Sequence, residues 1–246
     1  PSAGNWLTDH MDTAMTDSTT PSISPQELNA RLGAANAPLV LDVRRTPKFL
    51  ESPRMVAGAQ RCAPEDVAAF AQNHPPREVV VYCVYGHNVS ADATATLRAA
   101  GWPARALAGG IEGGEDGVDD AHSIRHWRNE PALTIAKRPD WGVSGEQPSR
   151  WITRASPKID RVACPWLIRR FVDPSAIFLF VAASEVEGVA SRFGATPFDI
   201  ENTLWSHRGE TCTFDVMLEE WGLATPPLLH LAKIVRAADT ARLDLA

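Results

Sequence analysis

The sequence predicts an α/β protein, with a parallel sheet flanked by helices in its N-terminal half and a second, mainly helical α+β domain after it. Three observations predict this. Short apolar runs rich in β-branched residues alternate with helical segments up to about residue 110. A glycine- and acid-rich stretch then breaks the pattern. Beyond Trp151, segments of helical period dominate.

Each element has its own signal. Ser24-Pro25-Gln26-Glu27 reads as a helix start, with Ser24 as cap and Pro25 in the first turn. Leu28 and Leu32 then share a face, and Gly33 ends the helix. Leu39-Val40-Leu41-Asp42-Val43 and Glu78-Val79-Val80-Val81-Tyr82 are apolar runs of the kind found in buried parallel strands. Val67-Ala68-Ala69-Phe70-Ala71 between them reads as helix. An alanine-rich helix over 90–100, closed by Gly101, leads to a strand over 104–107 and to Gly109-Gly110. The second domain is read as a strand over 151–154, a helix over 161–171, a strand over 177–181 and a helix over 185–193. Two closing helices are read over 214–221 and 227–238.

The organisation that follows is a disordered tail or expression-tag remnant over 1–22, an α/β domain over 23–118, a linker over 119–150 and a second domain over 151–246. The linker holds Pro139, Gly142, Gly145 and Pro148, with one short helix expected around 122–128.

Of the 246 residues, 44% are hydrophobic, enough for packed cores, and the formal net charge is −6. A sequence-independent nucleic-acid binder needs a surplus of Lys and Arg, so direct nucleic-acid binding is not expected. No apolar run approaches the roughly 20 residues that span a bilayer, and a cytoplasmic protein without membrane contact is expected. Cys62, Cys83, Cys164 and Cys212 are scattered without Cys-x-x-Cys spacing, which argues for free thiols.

Cys83 carries the sharpest local signal, because it falls between a buried strand and a helix. At such a junction in a parallel sheet, loop amides and the helix N-terminus favour anions. The setting suits a thiolate, a persulfide or a small bound anion. The plainer reading, a packing cysteine that ends a strand, stands beside it on spacing alone. The loop Val84, Tyr85, Gly86, His87, Asn88 and Val89 would line the substrate pocket. His87 is either a protonated anion-binding or proton-donating group or a solvent-facing loop residue. Arg44 is either near the site or paired with Asp42 to organise its loop.

Residues 23 to about 115 resemble a single rhodanese domain. The matching pieces are Ser24-Pro25-Gln26-Glu27-Leu28, Leu41-Asp42-Val43-Arg44, Val56-Ala57-Gly58-Ala59, Val80-Val81-Tyr82-Cys83 with Gly86, Leu97-Arg98-Ala99-Ala100-Gly101-Trp102 and Leu107-Ala108-Gly109-Gly110-Ile111. The resemblance implies a rhodanese-like fold and a sulfurtransferase in which Cys83 takes a sulfane sulfur from a small-molecule donor and passes it to a thiol. Catalytic roles for Cys83, His87 and Arg44 follow, with no cofactor required for sulfur transfer. The loop departs from the pattern in carrying no Arg or Lys, which implies weaker binding of a thiosulfate dianion. Phosphatases with a Cys nucleophile hold the phosphate with an Arg where this chain has Val89, so phosphatase activity is not expected.

In the second domain, Lys158, Arg161 and Arg169 form a candidate oxyanion set, since guanidinium groups match oxyanion geometry. A basic helix paired with neighbours such as Asp160 and Asp173 is the plainer alternative. His207, Cys212 and Asp215 are candidate ligands for a divalent metal, although their spacing fits no standard zinc signature. The alternative is a loop that caps the next helix through Asp215 or Thr213.

This segment resembles the C-terminal domain of the chromate resistance protein B (ChrB) family. The resemblance rests on Pro157-Lys158-Ile159-Asp160-Arg161, Ala163-Cys164-Pro165-Trp166-Leu167-Ile168-Arg169-Arg170-Phe171, Ala195-Thr196-Pro197-Phe198-Asp199-Ile200, Cys212-Thr213-Phe214-Asp215 and Ile234-Val235-Arg236-Ala237-Ala238-Asp239-Thr240. It implies a link to chromate resistance, with a chromate- or sulfate-like oxyanion as the expected ligand. The competing expectation is a non-catalytic module that senses an oxyanion or metal.

Overall fold

A computed structural model describes residues 20–241. Residues 1–19 of the expected tail lie outside the described residues; its last residues do not, because Ser22 opens the first strand.

The N-terminal half runs β1 (Ser22–Ile23), α1 (Pro25–Arg31), β2 (Leu39–Asp42), α2 (Thr46–Glu51), β3 (Arg54–Val56) and β4 (Ala59–Arg61). It continues with α3 (Val67–Asn73), β5 (Val79–Tyr82), α4 (Asn88–Ala99) and β6 (Ala104–Leu107). Ser24 caps α1 as its sequence indicates, its Oγ accepting from the Glu27 amide at 3.1 Å. Five strands form one parallel sheet in the order β1-β6-β5-β2-β4. Side chains alternate across it. Leu39, Leu41 and Val43 of the β2 run, with Val79, Val81 and Cys83 of the β5 run, join one buried cluster with α3 and α4. Val40, Val80 and Tyr82 face the other way.

The stretch expected to be a linker is built into this body. It carries α5 (Ala121–Asn129) and β7 (Thr134–Ala136), and β7 pairs antiparallel with β3 through Met55 and Ile135. Its glycines and prolines sit in the turns around these elements.

The C-terminal half runs β8 (Arg150–Arg154), α6 (Ile159–Leu167), β9 (Ile177–Val181), α7 (Val186–Phe193), β10 (Thr196–Pro197), α8 (Thr213–Glu220) and α9 (Pro226–Thr240). Its three strands, in the order β10-β8-β9, are all parallel. Pro165 lies inside α6, and the chain continues from that helix as a π-helical turn over Ile168–Val172. Proline supplies no amide to the ladder, so the Arg161 carbonyl lacks its i+4 donor. Trp205 stacks on Trp221 at 5.3 Å between centroids, and Trp151 meets Trp205 edge-on at 5.8 Å, forming the aromatic centre of this half.

The two halves share a core. The cluster holding Val40, Val80 and Tyr82 continues through Phe171 to Trp151, Phe214 and Leu228. At the seam the Gly58 amide donates to the Phe171 carbonyl at 2.7 Å, and Arg170 donates to the Ala34 carbonyl. A Cβ at Gly58 would stand 2.7 Å from the Arg170 carbonyl oxygen, so only glycine fits.

Candidate active site

Cys83 follows the last residue of β5, the central strand, and precedes α4. This is the carboxyl end of a parallel sheet, where open α/β folds bind ligands. Cys83 is 5% exposed and lines a cavity of about 520 Å³ with Arg44, Arg45, Lys48, Glu51, His87 and Glu112. Val84, Tyr85, Asn88 and Val89 line the same cavity. Ser90, in the first turn of α4, places its Oγ 3.2 Å from Cys83 Sγ and donates to the His87 carbonyl at 3.0 Å.

The loop after Cys83 holds its shape by backbone packing. Gly86 has φ +83°, and a Cβ there would meet the Gly109 and Gly110 amide nitrogens at 2.9 Å. A Cβ at Gly110 would lie 2.4 Å from the Val84 carbonyl oxygen and 2.6 Å from the Gly86 nitrogen. The Ile111 amide donates to the Cys83 carbonyl and the Glu112 amide to that of Val84, at 3.1 and 3.0 Å. The amides of residues 84–89, by contrast, have no acceptor among the described residues. A run of uncommitted N–H groups beside a sulfur suits an anion or a persulfide.

Arg44 is part of the wall but is not free to act on a ligand through its whole fork. Its side chain is buried, with Nε 2.9 Å from Asp42 Oδ1 and Nη2 2.6 Å from Asp42 Oδ2. Burial opposes its charge, yet Asp42 holds the guanidinium pKa above its ordinary value. Tyr82 Oη also donates to Asp42, at 2.6 Å. The structure builds the loop-organising pair and also places Arg44 in the cavity wall, and of the Arg44 side-chain nitrogens Nη1 alone has no hydrogen-bond partner among the described residues.

His87 lines the cavity, but Nε2 lies 2.8 Å from Asp119 Oδ2 and Nδ1 3.4 Å from Glu115 Oε2. Burial works against the Asp119 carboxylate, but the Glu115 amide and His87 together keep its pKa below the usual range. The ring therefore tethers the 83–88 loop to the acidic segment while remaining in the cavity wall.

Sequence reasoning missed Arg45, Lys48 and Ser90. Arg45 brings positive charge to the cavity that the Cys83 loop lacks, while Lys48 pairs with Glu51 at 2.8 Å in the same wall. The doubled Arg44-Arg45 was the available signal, but an exposed arginine after a strand has no spacing that ties it to a distant cysteine. The other thiols are differently placed. Burial pushes Cys62 up to about 11 and pushes Cys164 and Cys212 up as well.

The basic residues of the second domain do not converge. Lys158 is exposed, Arg161 Nε pairs with Asp199 Oδ2 at 3.0 Å, and Arg169 donates to the Ala176 carbonyl at 3.1 Å. Successive positions on a turning helix send these side chains to separate partners, so the oxyanion pocket expected from them is not formed. Of His207, Cys212 and Asp215, the first two meet at Asp160, to which the Cys212 thiol donates, while Asp215 does not join them. Asp215 accepts from the Cys212 amide at 3.0 Å and pairs with Arg236 at 3.2 Å, and so serves the start of α8. Cys212 is fully buried. His207 turns instead to Asp160, Asp199 and Asp239.

Two family models match the chain. Residues 24–116 match the model of the rhodanese-like domain, and residues 151–246 match the model of the ChrB C-terminal domain. The Protein ChrB of Cupriavidus metallidurans is 34% identical over 139 residues, a match that takes in 51% of this chain and 42% of that relative's length. Among solved structures, a rhodanese homolog from Thermus thermophilus is 28% identical with a TM-score of 0.31, covering 37% of this chain and 98% of its own. A full-length protein from Lactobacillus plantarum is 24% identical with a TM-score of 0.38, covering 47% and 87%. The chain thus joins a rhodanese-like domain, residues 24–116, to a ChrB C-terminal domain, residues 151–246.

Proposed function

We propose that this protein, a rhodanese-fold protein with a chromate-resistance-type domain, is a sulfurtransferase that carries sulfane sulfur as a persulfide on Cys83. The observation that supports this reading is the placement of the Cys83 sulfur. It stands at the end of the central strand, beside a run of uncommitted amides, on the wall of a cavity that also holds Arg45 and Lys48. In the first half-reaction the Cys83 thiolate attacks the outer sulfur of a donor such as thiosulfate. A new S–S bond forms, the donor's S–S bond breaks, and sulfite leaves with the electron pair. In the second, an acceptor thiolate attacks the outer sulfur of the persulfide and Cys83 departs as thiolate. No outside oxidant enters, because each step exchanges one S–S bond for another.

Arg45 attracts the dianionic donor, and the amides of the loop hold negative charge on the terminal sulfur. Incubation of the full chain with thiosulfate, followed by intact-mass measurement, tests the proposal. A gain of one sulfur atom that disappears in Cys83→Ser is expected. Equal gain in the variant, or none in the wild-type chain with any sulfane donor, rejects it.

A further inference from the structure

Three carboxylates and one imidazole meet on the C-terminal half, at the carboxyl ends of β8 and β10. Asp160 comes from the first turn of α6, Asp199 from just after β10, His207 from the loop before α8, and Asp239 from the last turn of α9. His207 Nε2 lies 3.2 Å from Asp239 Oδ2, 3.3 Å from Asp160 Oδ2 and 3.6 Å from Asp199 Oδ1. Charge-assisted N–H···O bonds run at about 2.7–2.9 Å, and one ring N–H serves one acceptor well. These distances are instead those between ligands of a common centre. Donor atoms set tetrahedrally at about 2.0–2.1 Å from a zinc-sized ion lie about 3.3–3.4 Å apart. One ligand atom from each of Asp160, His207 and Asp239 falls within 4.8 Å of the others.

The protein has fixed these groups in advance. Asp160 is fully buried, and its two oxygens accept from the Thr213 and Phe214 amides at 2.6 and 3.3 Å. The Asp160 amide in turn donates to Asp239 Oδ1 at 3.3 Å, which leaves Oδ2 turned to His207. Arg161 and Arg154 balance Asp199. Neither Asp160 nor Asp239 is paired with any Lys or Arg among the described residues. Two carboxylates, one of them buried, thus share an imidazole and, at Asp160, a hydrogen bond from the Cys212 thiol, and burying charge without a Lys or Arg beside it is costly. The alternation of β8 also puts Thr153 on the sheet face of Trp151, against which α6 and α8 pack. Its buried hydroxyl has no partner among the described residues.

We propose that Asp160, His207 and Asp239 bind one divalent first-row cation of the zinc or manganese class, with its remaining positions open to water or a small ligand. Two carboxylates with one imidazole suit such an ion better than a soft monovalent metal or calcium. The site is independent of the Cys83 reading, and it differs from the His207, Cys212 and Asp215 set that local spacing suggested.

The test uses the full chain, stripped with a chelator and titrated with Zn²⁺, Mn²⁺ and Co²⁺. Native mass spectrometry reads stoichiometry, and the visible spectrum of Co²⁺ reads coordination. One ion per chain is expected, with affinity lowered at least about tenfold in His207→Gln and in Asp239→Asn and unchanged in Cys83→Ser. Both ligand variants alter positions that are not fully buried, and metal-free thermal melts confirm that they fold. Failure to bind any of the three ions at one per chain, or wild-type affinity in both folded ligand variants, overturns the proposal. Loss of the ion in Cys212→Ser, with His207→Gln unaffected, does so too.

Discussion

The Cys83 thiol and the Ser90 hydroxyl lie 3.2 Å apart, and Ser90 directs its own hydrogen to the His87 carbonyl. While Cys83 is a thiol, it donates to Ser90. Once it ionises, the hydroxyl can turn and donate to the sulfur. Ser90→Ala removes this second partner, a hydrogen bond worth about 0.5–1.5 kcal/mol. The rate of Cys83 alkylation by iodoacetamide at pH 7 is expected to fall by roughly twofold to tenfold, with the fold retained by circular dichroism. An unchanged rate separates Ser90 from the chemistry.

Thiol selectivity gives a second expectation. With its pKa near 11, Cys62 is ionised in only about one molecule in a thousand at pH 8, and Cys164 and Cys212 are fully buried. One equivalent of alkylating reagent should therefore modify Cys83 in the native chain, and all four cysteines should react in denaturant. Peptide mapping that finds the native label on Cys62 first contradicts the picture of the cavity.

The glycine clamp under the Cys83 loop can be probed by adding one carbon. Gly110→Ala forces a contact of 2.4 Å with the Val84 carbonyl oxygen. A loss of about 3 kcal/mol is expected, or roughly 6–12 °C in Tm, together with loss of sulfur loading. Gly117→Ala is the control, because its Cβ would meet nothing within 4 Å and only its φ of +80° is strained. It should cost about 1 kcal/mol and leave loading intact.

Acid stability has a defined contributor in Glu78. Arg31 chiefly, with Arg105, holds its carboxyl at about 2 against an ordinary 4.5. A carboxylate depressed by folding stabilises the protein above its unfolded pKa, and that stabilisation fades as the pH falls from about 4.5 toward 2. The side chain is 36% exposed, so solvent screening reduces the effect to about 1 kcal/mol. Glu78→Gln should lower Tm by roughly 2–4 °C at pH 7, with the gap closing near pH 2. A gap that persists in acid points to packing instead.

The runs at 39–43 and 78–82 were legible because residues buried on both faces leave an uninterrupted apolar signature. Strands β3, β7 and β10 are two or three residues long, too short for any period to register. Their pairing partners lie far along the chain, as with Met55 and Ile135. Cys83 was legible because strand, nucleophile and helix are contiguous. The Asp160, His207 and Asp239 cluster was not, since its members come from three elements brought together only by the packing of α6 against α8 and α9. Spacing within 207–215 instead pointed to Cys212 and Asp215, which fold into the start of α8.

The notch at Gly58 bears on inheritance. A rhodanese-like unit taken from another chain would fit this C-terminal half only if it offered a bare α-carbon opposite the Arg170 carbonyl and an amide to Phe171. A side chain at position 58 would therefore strain the shared core and loosen both halves at once.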